Sequence, residues 1–108
     1  MSKWRNWKMT SKESLKNFFE KSIEQNGCVR ILTVLDHVSQ SGMTRYISAF
    51  IPLVVDGKAQ NICIAREYRV GGCGMDMGFH LAYTLFHSVY EYGENGREYQ
   101  SYLCHEWL

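Results

Sequence analysis

One proline in 108 residues, no Cys-x-x-Cys pair and a net charge of only +1 remove several classes of protein at once. Scarce proline, 45% hydrophobic residues and 21% charged residues exclude a disordered or low-complexity chain. A charge near neutrality excludes a general electrostatic binder of duplex DNA or RNA, which needs a basic surface to displace counterions. The four cysteines, Cys28, Cys63, Cys73 and Cys104, are widely scattered, so neither a zinc knuckle nor a thioredoxin-like motif is supported. Reduced thiols are therefore expected. The longest nearly apolar run, Tyr46 to Val55, holds Pro52 and is far too short to span a bilayer, so no membrane partner is expected. The N-terminal residues Met1 to Lys8 carry charge without a following apolar stretch and do not read as a secretory signal. A cytoplasmic location follows as the expectation.

What remains fits one domain over residues 1–108, with a helical segment at 1–27 and a core at 28–108. Residues 10–26 predict an amphipathic helix, with Leu15, Phe18, Phe19 and Ile23 at helical spacing. Thr10 would cap it, Glu13 would complete a capping box, and Gly27 would end it. Val29 to Val38 reads as a strand, Tyr46 to Val55 as a second and Ala59 to Arg66 as a third, with Asp56-Gly57 as the hairpin turn between the last two. Pro52 marks an edge or bulge in the second strand. A second helix runs from Asp76 or Met77 to Tyr92, and Glu98 to Leu108 forms a short final strand or an irregular packed end. The fold class is α+β: an N-terminal helix, a three-stranded antiparallel meander, a second helix, and a C-terminal strand or tail. The sheet of such a domain leaves a face or edge to cover, so a homo-oligomer is expected. Lysines and arginines crowd the start of the chain and glutamates the end, and these could pair within or between subunits.

Two segments carry chemistry. The first is Arg69-Val-Gly-Gly-Cys-Gly-Met-Asp-Met-Gly78, where Gly71, Gly72, Gly74 and Gly78 precede a helix. A glycine-rich loop at a helix start aims unpaired N–H groups and the positive end of the helix dipole at one point, which suits a phosphate. No Gly-Lys-Ser/Thr follows, and the spacing misses the dinucleotide fingerprint by one residue. A plain tight turn is the competing reading. The second is His37-Val-Ser-Gln-Ser-Gly-Met-Thr-Arg45 between the first two strands. Ser39, Ser41 and Thr44 offer hydroxyls, Gly42 offers backbone access, and Arg45 offers a forked cation matched to phosphate. A solvated turn with serines bonded to their own backbone is the competing reading here.

His37-Val-Ser-x-Ser-Gly-Met-x-Arg45, Gly72-Cys-Gly-Met-Asp-Met-Gly-Phe79 and the closing Trp107-Leu108 resemble a family of small bacteriophage and prophage proteins across roughly residues 31–108. Members often have arginine where this chain has Gln40. The resemblance implies a viral origin and implies that the two loops form one site; it implies no activity.

Catalysis is the less favoured reading. Asp36 and His37 are adjacent on a strand and would face opposite ways, so with Ser39 and Ser41 they do not make a triad. Cys73 at a helix start, with His80 or His37 as base, is a better nucleophile, but a cysteine between glycines is more often a small apolar filler. His80 and His87 are two helical turns apart, about 10 Å along the axis, too far to share a metal directly. Neither a metal nor a cofactor is expected. Asp76 caps the second helix or accepts from a ribose hydroxyl or base amine, and Met75 and Met77 supply apolar walls or ordinary packing.

The ligand-binding set is therefore His37, Ser39, Ser41, Gly42, Met43, Arg45, Arg69, Gly72, Cys73, Gly74, Met75, Asp76 and Met77. The expected function is a phage-encoded protein of the infected cell's cytoplasm. It binds a phosphorylated ligand or cyclic nucleotide and sequesters a bacterial defence signal. The alternatives are an inhibitor that binds a host protein through exposed aromatics, and an enzyme acting on a nucleotide through Cys73 or His37; Trp4 and Trp7 beside Arg5 and Lys8 could stack bases or seal a subunit contact.

Overall fold

The computed structural model describes residues 11–38, 44–70, 77–90 and 102–108. In chain order these form α1 (Lys12–Asn26), β1 (Val29–Val38), β2 (Thr44–Val55), β3 (Lys58–Val70), α2 (Met77–Val89) and β4 (Leu103–Trp107). The α+β class and the helix–meander–helix order are as expected, and the C-terminal segment resolves into a strand.

The cap of α1 is Ser11, whose hydroxyl accepts from the Ser14 amide at 3.2 Å. Glu13 thus sits one residue too early for the capping box, and the third helical residue is Ser14, whose hydroxyl receives a 3.0 Å bond from Ser11. Thr10 lies outside the described residues. Gly27 ends the helix at φ 81, donating its N–H to the Ile23 carbonyl. The apolar stripe includes a polar residue. Ser22 is fully buried, donates to the Cys28 carbonyl at 2.7 Å and accepts the Arg30 amide at 2.9 Å. One hydroxyl thereby satisfies two backbone groups where the chain reverses from α1 into β1.

Asp56 at φ 52 and Gly57 at φ 78 close the β2–β3 hairpin with two left-handed residues, which matches the twist of the flanking strands. β3 runs four residues beyond the expected Arg66, because Glu67 to Val70 pair with Ile47 to Thr44. A register shift between Ala49 and Phe50 marks a bulge there. Pro52 is tolerated because the register of β1 on β2 ends at Leu32–Phe50, leaving Pro52 at a local edge. The missing β1 partners are replaced by α1 side chains. Gln25 accepts from the Val54 amide at 2.7 Å and donates to the Val54 carbonyl at 3.1 Å, while Asn26 donates to the Pro52 carbonyl at 3.1 Å. A carboxamide here does the work of a strand peptide.

The sheet order is β3-β2-β1-β4, with β4 parallel to β1 from Val29–Leu103 to Thr33–Trp107. Both helices pack on one face. Leu15 and Phe19 from α1 meet Val29, Ile31, Ile47 and Ile51 from the sheet and Leu81, Leu85 and Phe86 from α2. Phe19 lies between Phe86 and Tyr90, with ring centroids 6.3 and 6.0 Å away. Burying each such ring contributes about 1.5–3 kcal/mol. α2 ends at Val89, followed by the buried Tyr90, and the expected end at Tyr92 lies outside the described residues. Ser88 Oγ donates to the Leu85 carbonyl at 2.6 Å, and Tyr90 turns inward onto Phe19.

Candidate functional site

The register of the meander fixes where the two motif loops begin and end. Residues 39–43 connect β1 to β2, and residues 71–76 connect β3 to α2. Thr44, the first residue after one loop, is the register partner of Val70, the last residue before the other. The two loops therefore leave the sheet at the same end and from adjacent strands. One step further in, Arg45 is directly opposite Arg69, and on its other side Arg45 is opposite Val38. The next row holds His37, Tyr46 and Tyr68 on three consecutive strands.

Of the expected ligand-binding residues, His37, Arg45, Arg69 and Met77 fall in described elements. Ser39, Ser41, Gly42, Met43, Gly72, Cys73, Gly74, Met75 and Asp76 lie outside the described residues. Met77 opens α2 and is buried in the core at 6% exposure, where it anchors the helix start. The register shift between Leu35 and His37 leaves Asp36 without a Cα partner.

Gly78 is architectural. A β-carbon at this position would stand 2.6 and 2.8 Å from the Cζ2 and Cη2 atoms of Trp107 and would also meet the Thr33 hydroxyl. The first turn of α2 thus lies directly on β1 and β4, and only glycine permits that approach. Thr33 is fully buried, and its Oγ1 shares a 2.6 Å hydrogen bond with His105 Nε2. The His105 ring lies 6.0 Å from Phe79 and 5.8 Å from Trp107, so α2 and β4 meet along an aromatic seam. His87 belongs to the same helix face, 4.2 Å from the Tyr83 ring, with Nδ1 at 3.2 Å from the Tyr90 carbonyl oxygen. Among the described residues, no group of three or more metal-ligating side chains converges.

Cys28 and Cys104 lie at the start of β1 and on β4. Burial pushes the Cys28 thiol up to about 11, and its hydrogen bond with Cys104 and the Cys104 charge add to that, against the opposing pull of Arg30. Arg30 Nε meets Glu106 Oε2 at 3.1 Å on the register-adjacent strands. This is one contact between an acidic residue of the C-terminal segment and a cation, and it joins two strands of one chain.

A cleft of about 550 Å³ opens at the other end of the sheet, between the end of α1 and the β2–β3 hairpin. Its carboxamides, Gln25, Asn26, Gln60 and Asn61, carry no motif and gave no signal in the sequence. Thr33 and His105 were equally silent, because their pairing depends on β4 lying parallel to β1 across 72 residues of sequence. Compared with known proteins, the chain matches no family model, no curated protein and no solved structure.

Proposed function

We propose that the sheet end at Thr44 and Val70 is the binding site of a small phosphorylated ligand, most plainly a nucleotide or cyclic nucleotide, held without turnover. The observation that carries this reading is the direct opposition of Arg45 and Arg69. Two arginines at opposed register positions offer two forked cations matched to one phosphate. The start of α2, seven residues after Val70, adds the positive end of a helix dipole. Ser39, Ser41 and the amides of Gly72 to Met75 then serve as further donors, with Asp76 accepting from a hydroxyl or base amine. Met77, seated in the core, holds the helix start in place.

The motif resemblance to phage and prophage proteins supports an infected bacterial cytoplasm as the setting for this chemistry. There, sequestering a cyclic nucleotide signal of host defence is a use that needs binding alone. A homo-oligomer belongs to the same reading, since it would repeat the site.

A thermal-shift panel of mono-, di- and cyclic nucleotides and ADP-ribose derivatives tests the proposal. A ligand at a hundred times its Kd adds about 2.7 kcal/mol, a rise of several degrees for a domain of this size. Intact recovery of the ligand supports sequestration, and product formation would instead favour chemistry at Cys73 or His37. One observation favours a second reading, a protein partner. Phe79, Trp107 and Leu108 are 45%, 49% and 62% exposed, and the first two border the same histidine. A panel with no shift moves the assignment to that surface.

A further inference from the structure

Cys28 and Cys104 stand near opposite ends of the described chain and side by side in the fold. Cys28 immediately precedes β1, and Cys104 on β4 is the register partner of Arg30. Val29 and Ile31, on either side of Arg30, are fully buried in the core beneath the helices. Arg30 and its partner Cys104 therefore lie on the opposite face of the sheet. On that face the Cys28 and Cys104 thiols are hydrogen-bonded to each other. Arg30 stays beside them, held by Glu106 at 3.1 Å.

The two sulfurs are not equivalent. Cys104 is exposed, whereas Cys28 is half-buried. Burial keeps the Cys28 thiol protonated, its pKa raised to about 11, so it is the poorer first reactant. A soluble oxidant therefore meets Cys104 first. Bonded sulfurs are about 2.05 Å apart, closer than hydrogen-bonded ones, so joining the pair needs a short local shift. Both ends lie where a shift disturbs little packing. Cys28 follows the left-handed Gly27 and precedes the first strand residue, and β4 is only five residues long.

We propose that Cys28 and Cys104 form a reversible disulfide that fastens β4 to β1 when a peroxide is present. Cys104 attacks one peroxide oxygen, breaking the O–O bond, and becomes a sulfenic acid as one water leaves. The Cys28 sulfur then attacks the Cys104 sulfur. The S–S bond forms, the sulfenic oxygen leaves as a second water, and the Cys28 proton goes with it. The two thiols lose two electrons and the peroxide gains them. Arg30 favours the thiolate character that Cys28 must develop. A dithiol reductant reverses the step by exchange, as a reducing compartment requires. The consequence reaches beyond the two cysteines. β4 also carries His105, bonded to Thr33, and Trp107, packed at Gly78, so fastening β4 also fastens the start of α2.

The test treats the reduced full chain with equimolar hydrogen peroxide and maps the products by peptide mass spectrometry without reductant. The expected product is an intramolecular Cys28–Cys104 link, lighter than the reduced chain by a pair of hydrogens and reopened by dithiothreitol. The ring closed spans most of the chain, so the oxidised form should melt about 10 °C higher. Amide exchange at His105 and Trp107 should slow with it. Cys104→Ser, at an exposed position, should abolish both the link and the rise, whereas Cys63→Ser, also exposed, should abolish neither. Three results overturn the inference: oxidation of Cys104 to a sulfinic acid without a link, pairing of either cysteine with another cysteine or a second copy, or a link with no rise in melting temperature. A nucleotide response, present or absent, alters none of these outcomes.

Discussion

A β-carbon on Gly78 would stand 2.6 Å from Cζ2 of Trp107, so the first turn of α2 and the end of β4 meet at a distance only glycine allows. The relationship ties a residue of the glycine motif to the closing Trp-Leu pair, two features nearly thirty positions apart. Gly78→Ala should therefore lower stability by about 1–3 kcal/mol, despite alanine's better helix propensity. Combining it with Trp107→Ala should recover much of that loss, read as non-additivity in a urea-denaturation double-mutant cycle. Simple additivity would mean the helix shifts freely away from the strand.

The buried Ser22 hydroxyl serves both the Cys28 carbonyl and the Arg30 amide. Ser22→Ala leaves both groups without that partner and should cost about 1–3 kcal/mol. Ser22→Thr, which keeps the oxygen but adds a methyl to a fully buried position, should recover only part of this. Equilibrium unfolding of the two variants against the parent measures it.

Gln25→Ala removes the carboxamide that pairs with both backbone groups of Val54. The site is exposed, so water replaces part of the loss and the expected cost is about 0.5–1.5 kcal/mol. Hydrogen exchange at the Val54 amide should accelerate in the variant, while exchange at Ile47 and Ala49, deep in the sheet, stays slow.

The Cys28 thiol, raised from 9.0 to about 11, keeps its proton in the folded chain at pH values where the unfolded chain has lost it. Folding thus binds a proton between pH 9 and about 11, and stability falls as pH rises through that window. Cys28→Ala should flatten the alkaline limb of a stability–pH curve. With iodoacetamide at pH 8, the exposed Cys63 should be alkylated well before Cys28.

Local signals in the sequence located every described element; the α1 cap, set one residue early, is a local miss, and the larger misses are non-local. Val29–Val38 and the Asp56-Gly57 turn were legible because β-branched runs and left-handed turn residues act within a few positions. β3 was set too short at Arg66, since Glu67 to Val70 are held in the strand by pairing with Thr44 to Ile47, which local propensity does not encode. The same holds for β4. Its tyrosine- and tryptophan-bearing sequence suggested a strand, but not that it pairs parallel to β1 on the far edge. Gly78 shows the converse: the glycine cluster drew attention as a loop, whereas this member is explained by a packing contact with residues 33 and 107. The two loops were read as one site from their motifs, and the Thr44–Val70 register gives a physical reason for their common origin on the sheet. The carboxamide cleft was not legible, because glutamine and asparagine beside a hairpin turn are unexceptional until α1 is seen to end there.

The paired arginines make the sharpest test, because removing one should change stability and binding in opposite directions. Melting temperatures of the parent, Arg45→Ala and Arg69→Ala would be compared with and without the nucleotide or cyclic nucleotide that gives the largest shift in the panel. The account predicts that each variant without ligand melts at or slightly above the parent, as the relief of opposed like charges contributes a few tenths of a kcal/mol to about 1 kcal/mol. It predicts that the ligand-induced rise disappears in both. Variants that melt lower than the parent yet keep the full ligand response would contradict it.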